Sequence, residues 1–479
     1  MPTSVAFSGT PQPPTDISGP TGKLADWLAK LKLADIPGDV QTRAKSLILD
    51  GIACALVGAQ LPWSKTAVET ILRFEGSGDK TIIGWGRTAS GPVAALLNGT
   101  FIQGFELDDV HPLGPLHNAS VVIPSLLACS EELKSVSGAE FLRAAIAGFE
   151  VGPRVGMSLH GAQMLSRGWH SGAVFGTHAA AAAAGALLGL DAARFEDALG
   201  LAGTQSAGLM AAQFEAMSKR MHHGFSSRNG LYGALLAAGG YTGIKRVFER
   251  EYGGFLSVFG EGHAPDASQI AGGLGERWET LRIVMKPYAA MLALHAPLDA
   301  IFDIMAKQPL KTDNISSIDI ELSHASYHHG WWVLKRPLTP IGAQMNVGYA
   351  VAVAILDGAA MVNQFSPARI NSDDVWALIP KITAHHNPDF DKHVAGYRKS
   401  RVTVHMSDGR KIEHTIEASR TMSQPLTAEQ ITAKYRTLTN GIVEPKRQAA
   451  IEAVVMNLEQ LKDVSELSRL LAPPVGAAF

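Results

Sequence analysis

From residue 21 to about residue 280, apolar side chains return every third or fourth position, the period of one face of an α-helix. LADWLAKL and VQTRAKSLILDGIACALVGAQ set this pattern between residues 24 and 60, and Thr66 to Phe74 continues it. TIIGWG is a short extended piece. From Gly91 to Gly260 the helical period carries through PVAALLNGTFIQGFEL, ASVVIPSLLACSEEL, GAEFLRAAIAGFEVGPRVG, SGAVFGTHAAAAAAGALLGL, ARFEDALGLAGTQSAGLMAAQ and SSRNGLYGALLAAGGYTGIKRVFE. Gly and Pro punctuate these segments as helix ends do, and no fixed-period repeat marks a solenoid. Near residue 280 the period shortens to two: LRIVMK, SSIDIELSH and SRVTVHMSDGRKIEHTIE alternate like strands, with an Asp-Gly turn inside MSDGRK. MNVGYAVAVAILDG and DDVWALIPKI are helical between them, and TAEQITAKYRTL, EPKRQAAIEAVVMNLEQL and VSELSRLLA return to helix at the end.

The expected fold is therefore mainly α with a smaller α+β domain. Residues 1–20 are expected to be a disordered tail, and 21–280 the first part of a helical domain. Residues 281–418 are read as an inserted α+β domain, and 419–479 as helices rejoining the first part. Clefts between such domains favour small-molecule sites.

Composition narrows the function class. The 479 residues are 46% hydrophobic and 18% charged with 48 glycines, an ordered globular protein rather than a disordered one. A formal net charge of −2 without any Lys/Arg block gives no footprint for nucleic acid or an anionic membrane. Cys54 and Cys129 sit in apolar runs and read as buried structural thiols, which suits a reducing compartment. With no secretory or mitochondrial pattern in MPTSVAFSGTPQPPTDISGP, the expectation is a cytoplasmic protein. The uncharged run from Ala173 to Leu190 has the length of a membrane span, but Ala, Gly, Thr177 and His178 point to a tightly packed core helix.

Against that background the stretch ELDDVHPLGPLHNAS stands out, with Glu106, Asp108, Asp109, His111 and His117 set between apolar runs. Such a density of acids and imidazoles is costly to bury unless the groups pair, bind a ligand or do chemistry. Pro112, Gly114 and Pro115 imply a loop, and no HExxH or CxxC accompanies it, so acid/base or substrate-binding duty is expected rather than a metal. Hydrogen bonding within the loop is the plainer alternative. RGWHSG holds His170 before a helix that Ser171 can cap, and a structural histidine is its alternative. MSKRMHHGFSSRNG gathers Lys219, Arg220, His222, His223 and Arg228, which in a nearly neutral chain ask for an anion; a solvated basic loop is the alternative. Lys286, in KPY, and His295 stand at the junction into the α+β block, while Tyr327, His328 and His329 form a looser polar patch. No P-loop, GxGxxG, flavin or pyridoxal signal is present. Histidines, carboxylates and cations without a cofactor suit a polyanionic small acid undergoing proton transfer, elimination or decarboxylation.

AKSLILDGIACALVGA, NGTFIQGFELDDVHPLGPLHNAS, GWHSGAVFG, SKRMHHGFSSRNG and KPYAAMLALH together resemble, in order and rough spacing, the MmgE/PrpD family of 2-methylcitrate dehydratases, cis-aconitate decarboxylases and an epimerase. ELDDVH…LHNAS and KR..HGF..RNG are similar to the forms found in its fungal cis-aconitate decarboxylases. The resemblance implies a cofactor-free homodimer whose subunit has a helical body built from both chain ends and an α+β lid. It places the family's acidic and histidine motif on Asp108, Asp109, His111 and His117, a further histidine on His170, and lysines on Lys219 and Lys286. Where other members carry His or Cys in the KPY motif, this chain has Met291, which cannot transfer a proton; His295 is a candidate substitute.

The expected function is decarboxylation of cis-aconitate or a close alkyl analogue, with 2-methylcitrate or alkylcitrate dehydration as the alternative. A metal-dependent hydrolase and a non-catalytic binding protein come after these. His117, His170, Asp108, Asp109 and Lys219 are the expected catalytic residues; His111, His223, Arg228 and Lys286 are expected to bind the tricarboxylate.

Overall fold

The computed structural model describes residues 6–7, 9–133, 135–392 and 399–479. It is mainly α-helical with a few strands in small sheets. Small residues set the spacing of the helices around the core. Ser218–Ala238 packs against both Gly91–Ile102 and Gly176–Leu187, and Gly138–Ser158 closes the other side of Gly176–Leu187. A Cβ on Gly224 would meet the Leu96 carbonyl oxygen at 2.1 Å, and one on Gly230 would meet that of Thr177 at 2.4 Å. These crossings exist only because both positions are glycine. Ala179 to Ala184 are completely buried, the environment that explains the uncharged run. The expected single helix there is broken at Phe175 into Ser171–Val174 and Gly176–Leu187. Among the described residues no single helix is long and apolar enough to cross a membrane.

Four strands form the larger sheet, in the order Ile382–His386, Ile315–Leu322, Ser400–Met406, Lys411–Ile416. The last two form the hairpin expected at Asp408-Gly409, with Gly409 at φ 88°. Ile382–His386 runs parallel to Ile315–Leu322, which requires a crossover; the helix Val347–Asp357 lies within it. His295–Lys307 packs across the hairpin and against that helix.

LRIVMK contributes only Val284–Met285, and it pairs not with this sheet but with Asp109–Val110. The acid-rich stretch and the residue before Lys286 are thereby held in one two-stranded ribbon. From the C-terminal helices, Ala428–Thr439 and Pro445–Met456 pack on Gly38–Ala59, and Ser465–Leu471 packs on Ala119–Leu133.

Part of the expected tail, residues 1–5 and 8, lies outside the described residues. The remainder corrects the expectation of disorder. Arg194 lies over the Phe7 ring, and the Gln12 and Thr15 amides donate to Asp191 and Glu196 at 2.8 and 2.9 Å. A helix begins at Pro20.

Candidate active site

The site grows from the end of Gly91–Ile102. A short 3-10 turn, Gln103–Phe105, follows it and leaves Glu106 in the left-handed region at φ 55°. That conformation costs a non-glycine residue about 1 kcal/mol. The buried side chain is clamped from three directions: Lys219 and Gln103 (2.7 Å) donate to Oε1, and Lys286 donates to Oε2 at 2.8 Å. Burial alone would raise the Glu106 pKa, but the two ammonium groups hold it well below the usual carboxylate range. Burial in turn lowers the pKa of Lys219, against the pull of Glu106.

His117 Nδ1 lies 2.8 Å from Asp108 Oδ1, so Nε2 is the nitrogen left to exchange a proton with a ligand. Around it, His170, His222 and His223 form a nest of imidazoles. The ring centres are 4.8 Å apart for His117 and His223, 4.7 Å for His170 and His222, and 5.3 Å for His170 and His223. Burial, reinforced by Lys219, pushes His222 down to about 4 and keeps His170 far below its ordinary value; burial and the neighbouring His117 do the same for His223. These rings are neutral near pH 7. A Cβ on Gly172 would fall 2.1 Å from His223 Nε2, so this glycine is what admits the ring.

Glu106, His117, His170, Ser171, Lys219 and Lys286 line one cavity that opens to solvent. Leu165, Met210, Met291, Leu292, His329 and Met345 line the rest with several smaller apolar residues. The 323–345 stretch is anchored beside it through Gln344. Its side chain donates to the Phe105 and Ala289 carbonyls at 2.7 and 3.0 Å and accepts from Arg220 at 2.6 Å. From the C-terminal helices, Lys434 donates to the Leu107 carbonyl at 2.7 Å and pairs with buried Asp50.

The structure therefore brings His117, His170, Lys219 and Lys286 to one surface, with Asp108 and His223 directly behind. Three of the expected residues lie elsewhere. Asp109 caps the helix Ala119–Leu133: Oδ2 accepts from the Asn118 amide and Oδ1 from the Ala119 amide, at 2.7 and 2.8 Å. Burial and the charge of Asp108 push it up to about 6. His111 accepts from the Gly114 amide at Nδ1 and reaches Glu279 through Nε2 at 3.1 Å, so both nitrogens are engaged away from the cavity. Arg228 bonds Asn229 and covers the Phe225 ring.

Two expectations of local structure also change. The basic segment is not the solvated loop given as the alternative; it forms the first turns of the continuous helix Ser218–Ala238. Lys219, His223 and Ser226 share its inner face, whereas Arg228, nine residues beyond Lys219, falls about half a turn out of phase. Ser171 is the first helical residue rather than a side-chain cap, with His170 at the N-cap position.

His295 is tied to Thr421 and the Ala290 carbonyl, at 2.7 and 3.1 Å, and does not line the cavity. With Asp109 and His111 engaged as described, the acid/His stretch does not converge; among the described residues no group of three or more His, Cys, Asp or Glu is placed to hold a metal. Sequence reasoning gave Glu106 no role and missed Gln344, Met210 and Met345. Only Glu106 left a signal, as the first acid of the run.

This arrangement can bind a polyanion and move a proton: cations for carboxylates, neutral imidazoles, and one imidazole with a carboxylate behind it. The MmgE/PrpD N-terminal domain matches residues 22–268, and the MmgE/PrpD C-terminal domain matches 288–460. "Cis-aconitate decarboxylase-like protein oryM" of Aspergillus oryzae is 44% identical over 470 residues, covering 94% of this chain and 97% of that protein. "Cis-aconitate decarboxylase" of Aspergillus terreus is 42% identical over 474 residues, 96% and 97% of the two chains. The human protein of the same name is 26% identical over 471 residues, 95% of each.

Proposed function

The chain belongs to the MmgE/PrpD family, and on that premise we propose that it is a carboxy-lyase that converts cis-aconitate, or a close alkyl analogue, to an itaconate-type product. The observation that carries this reading is the convergence of Lys219 and Lys286 on buried Glu106, in the same cavity as His117 and His170. A tricarboxylate entering it meets two ammonium groups whose charge a single internal carboxylate does not balance.

Loss of CO2 from the CH2-borne carboxylate sends its electron pair through the double bond to the far carbon. The dienolate there needs cationic stabilisation and one proton, so each turnover consumes one proton and releases one CO2. Lys219 and Lys286 hold the remaining carboxylates. His117 is the proton donor of choice, because Asp108 engages its Nδ1 and orients the ring, leaving Nε2 for the substrate, whereas His170 has no such carboxylate and serves as a neutral binding group. The reading needs no cofactor. It takes residues 281–418 as a lid over a body formed by 21–280 and 419–479, and support comes from a cavity wall shared between Leu165 and Met210 on one side and His329 and Met345 on the other. It also includes a cytoplasmic homodimer. Tyr232 and Leu236, exposed one turn apart and followed by exposed Tyr241 and Ile244, support a partner surface; light scattering on the eluting protein tests it.

Separate incubations with cis-aconitate, an alkylated cis-aconitate and 2-methylcitrate, read by proton NMR, test the reaction. CO2 loss and a new olefinic signal are expected from an aconitate, with 2-methylcitrate unchanged. Dehydration of 2-methylcitrate with both aconitates untouched would replace the reading by a hydro-lyase, and no reaction with any of the three would overturn it.

A further inference from the structure

The cavity is more apolar than a tricarboxylate requires. Apart from His329, which bonds Ser166, its charged and imidazole groups cluster around Glu106, yet Met210, Met291, Met345, Leu165, Leu292 and Val110 make up much of the remaining wall. cis-Aconitate carries three carboxylates on a short unsaturated chain and has no alkyl surface to place against thioethers and aliphatic side chains. Apolar wall left wetted by a small trianion forgoes the contact energy that methionine offers a flexible chain.

The methionines come from three separate elements. Met210 opens the 3-10 turn Met210–Gln213, Met345 ends the helix Pro340–Met345, and Met291 precedes Leu292–Leu294. Met291 is fixed by its amide, which donates to the Gln344 carbonyl at 2.9 Å. Its methyl group lies over Gly330, where an added Cβ would stand 3.3 Å from Cε. Three unbranched, polarizable side chains lining one cavity can adapt to a saturated chain.

We propose that the preferred substrate is a cis-aconitate bearing an alkyl chain of several carbons on one of its terminal carbons, with the chain seated against Met210, Met291 and Met345. This rests on the decarboxylase reading and adds the substrate class to it. The reaction balances as before: the alkyl group stays on its carbon, the CH2- or CHR-borne carboxylate leaves as CO2, and the far carbon takes the proton.

Calorimetry with tricarballylate, an unreactive saturated tricarboxylate, and its butyl derivative tests the seat directly. Each methylene that becomes buried is worth about fourfold in affinity, so the butyl ligand should bind wild-type protein at least about tenfold more tightly. In Met291→Gln and Met210→Gln, similar in length but polar, that advantage should fall to about threefold or less. Equal or weaker binding of the butyl ligand to wild type overturns the proposal, as does an advantage unchanged in both variants. Turnover separates this from the parent reading. A higher kcat/KM for cis-aconitate than for both butyl regioisomers ends the alkyl inference alone, whereas turnover of none of them ends the decarboxylase reading.

Discussion

Four neighbouring residues of the acid-rich stretch meet four different fates. Asp108 backs His117, Asp109 caps a helix, His111 pairs with Glu279, and His117 faces the cavity. The residue types announced chemistry, because groups so costly to bury are kept only where partners or ligands compensate them. Their division of labour was not legible, since in an irregular segment the direction of each side chain depends on backbone angles such as the φ of 55° at Glu106. Glu106 itself is the group that holds both lysines in place. Removing either cation partner, or the His117 ring, should therefore cost activity rather than the fold. His117→Ala is expected to lower kcat by about 10²- to 10⁴-fold, the usual weight of a general acid. Lys219→Ala should lower kcat/KM by a comparable factor, with circular dichroism unchanged in both. Near-wild-type rates from the two variants would remove these residues from the mechanism.

At the scale of elements, the periodic helices and the 400–416 hairpin were readable because burial on one face writes its period into the sequence. Ser218–Ala238 was harder. Gly224, Ser226, Ser227 and Gly230 resemble a loop in one dimension, yet they are the small contacts that let this helix approach two others. The parallel strand Ile382–His386 was likewise hidden, because its partner lies some sixty residues earlier. The tight crossings make a sharp prediction. On an open helix Gly→Ala gains up to about 1 kcal/mol. At Gly224 the new Cβ would press on backbone, the Leu96 carbonyl, which cannot swing aside as a side chain can. Gly224→Ala should instead destabilise the protein by about 1–3 kcal/mol in urea unfolding. At Asp109, replacement by Asn brings an NH2 group against amides that need acceptors, and about 1–3 kcal/mol of stability should be lost. A neutral or stabilising result at either position contradicts the packing or the cap described.

For the whole molecule, the number of buried neutral histidines becomes a pH dependence. His170, His178, His222 and His223 all have folded pKa values below the ordinary one, and His178 is the cleanest case, pushed down to about 3 by burial alone. It sits against Phe248 and Phe255, with ring centres 5.1 and 4.5 Å away, and does not line the cavity. In the unfolded chain each histidine takes up a proton near pH 6.5, while the folded protein resists until far lower pH. Through that window the unfolded state binds more protons, so histidine burial makes stability rise with pH and fall on acidification. Glu106 works in the same direction only much lower: its folded pKa is depressed, so its contribution is present above about pH 4.5 and is lost as pH falls through the folded value. Asp109, raised to about 6, works in the opposite sense between its unfolded and folded pKa values and offsets about one histidine there. A single substitution separates the histidine term from the rest. His178→Leu removes one proton from the unfolded-state balance and leaves every carboxylate untouched. Its stability relative to wild type should therefore improve by about 1.4 kcal/mol for each pH unit lowered between about pH 6 and about pH 4, whatever the fixed packing cost. Parallel stability curves for the two proteins in urea titrations would mean that the folded protein accommodates a charged His178 as readily as water does, contrary to a ring enclosed by two phenylalanines.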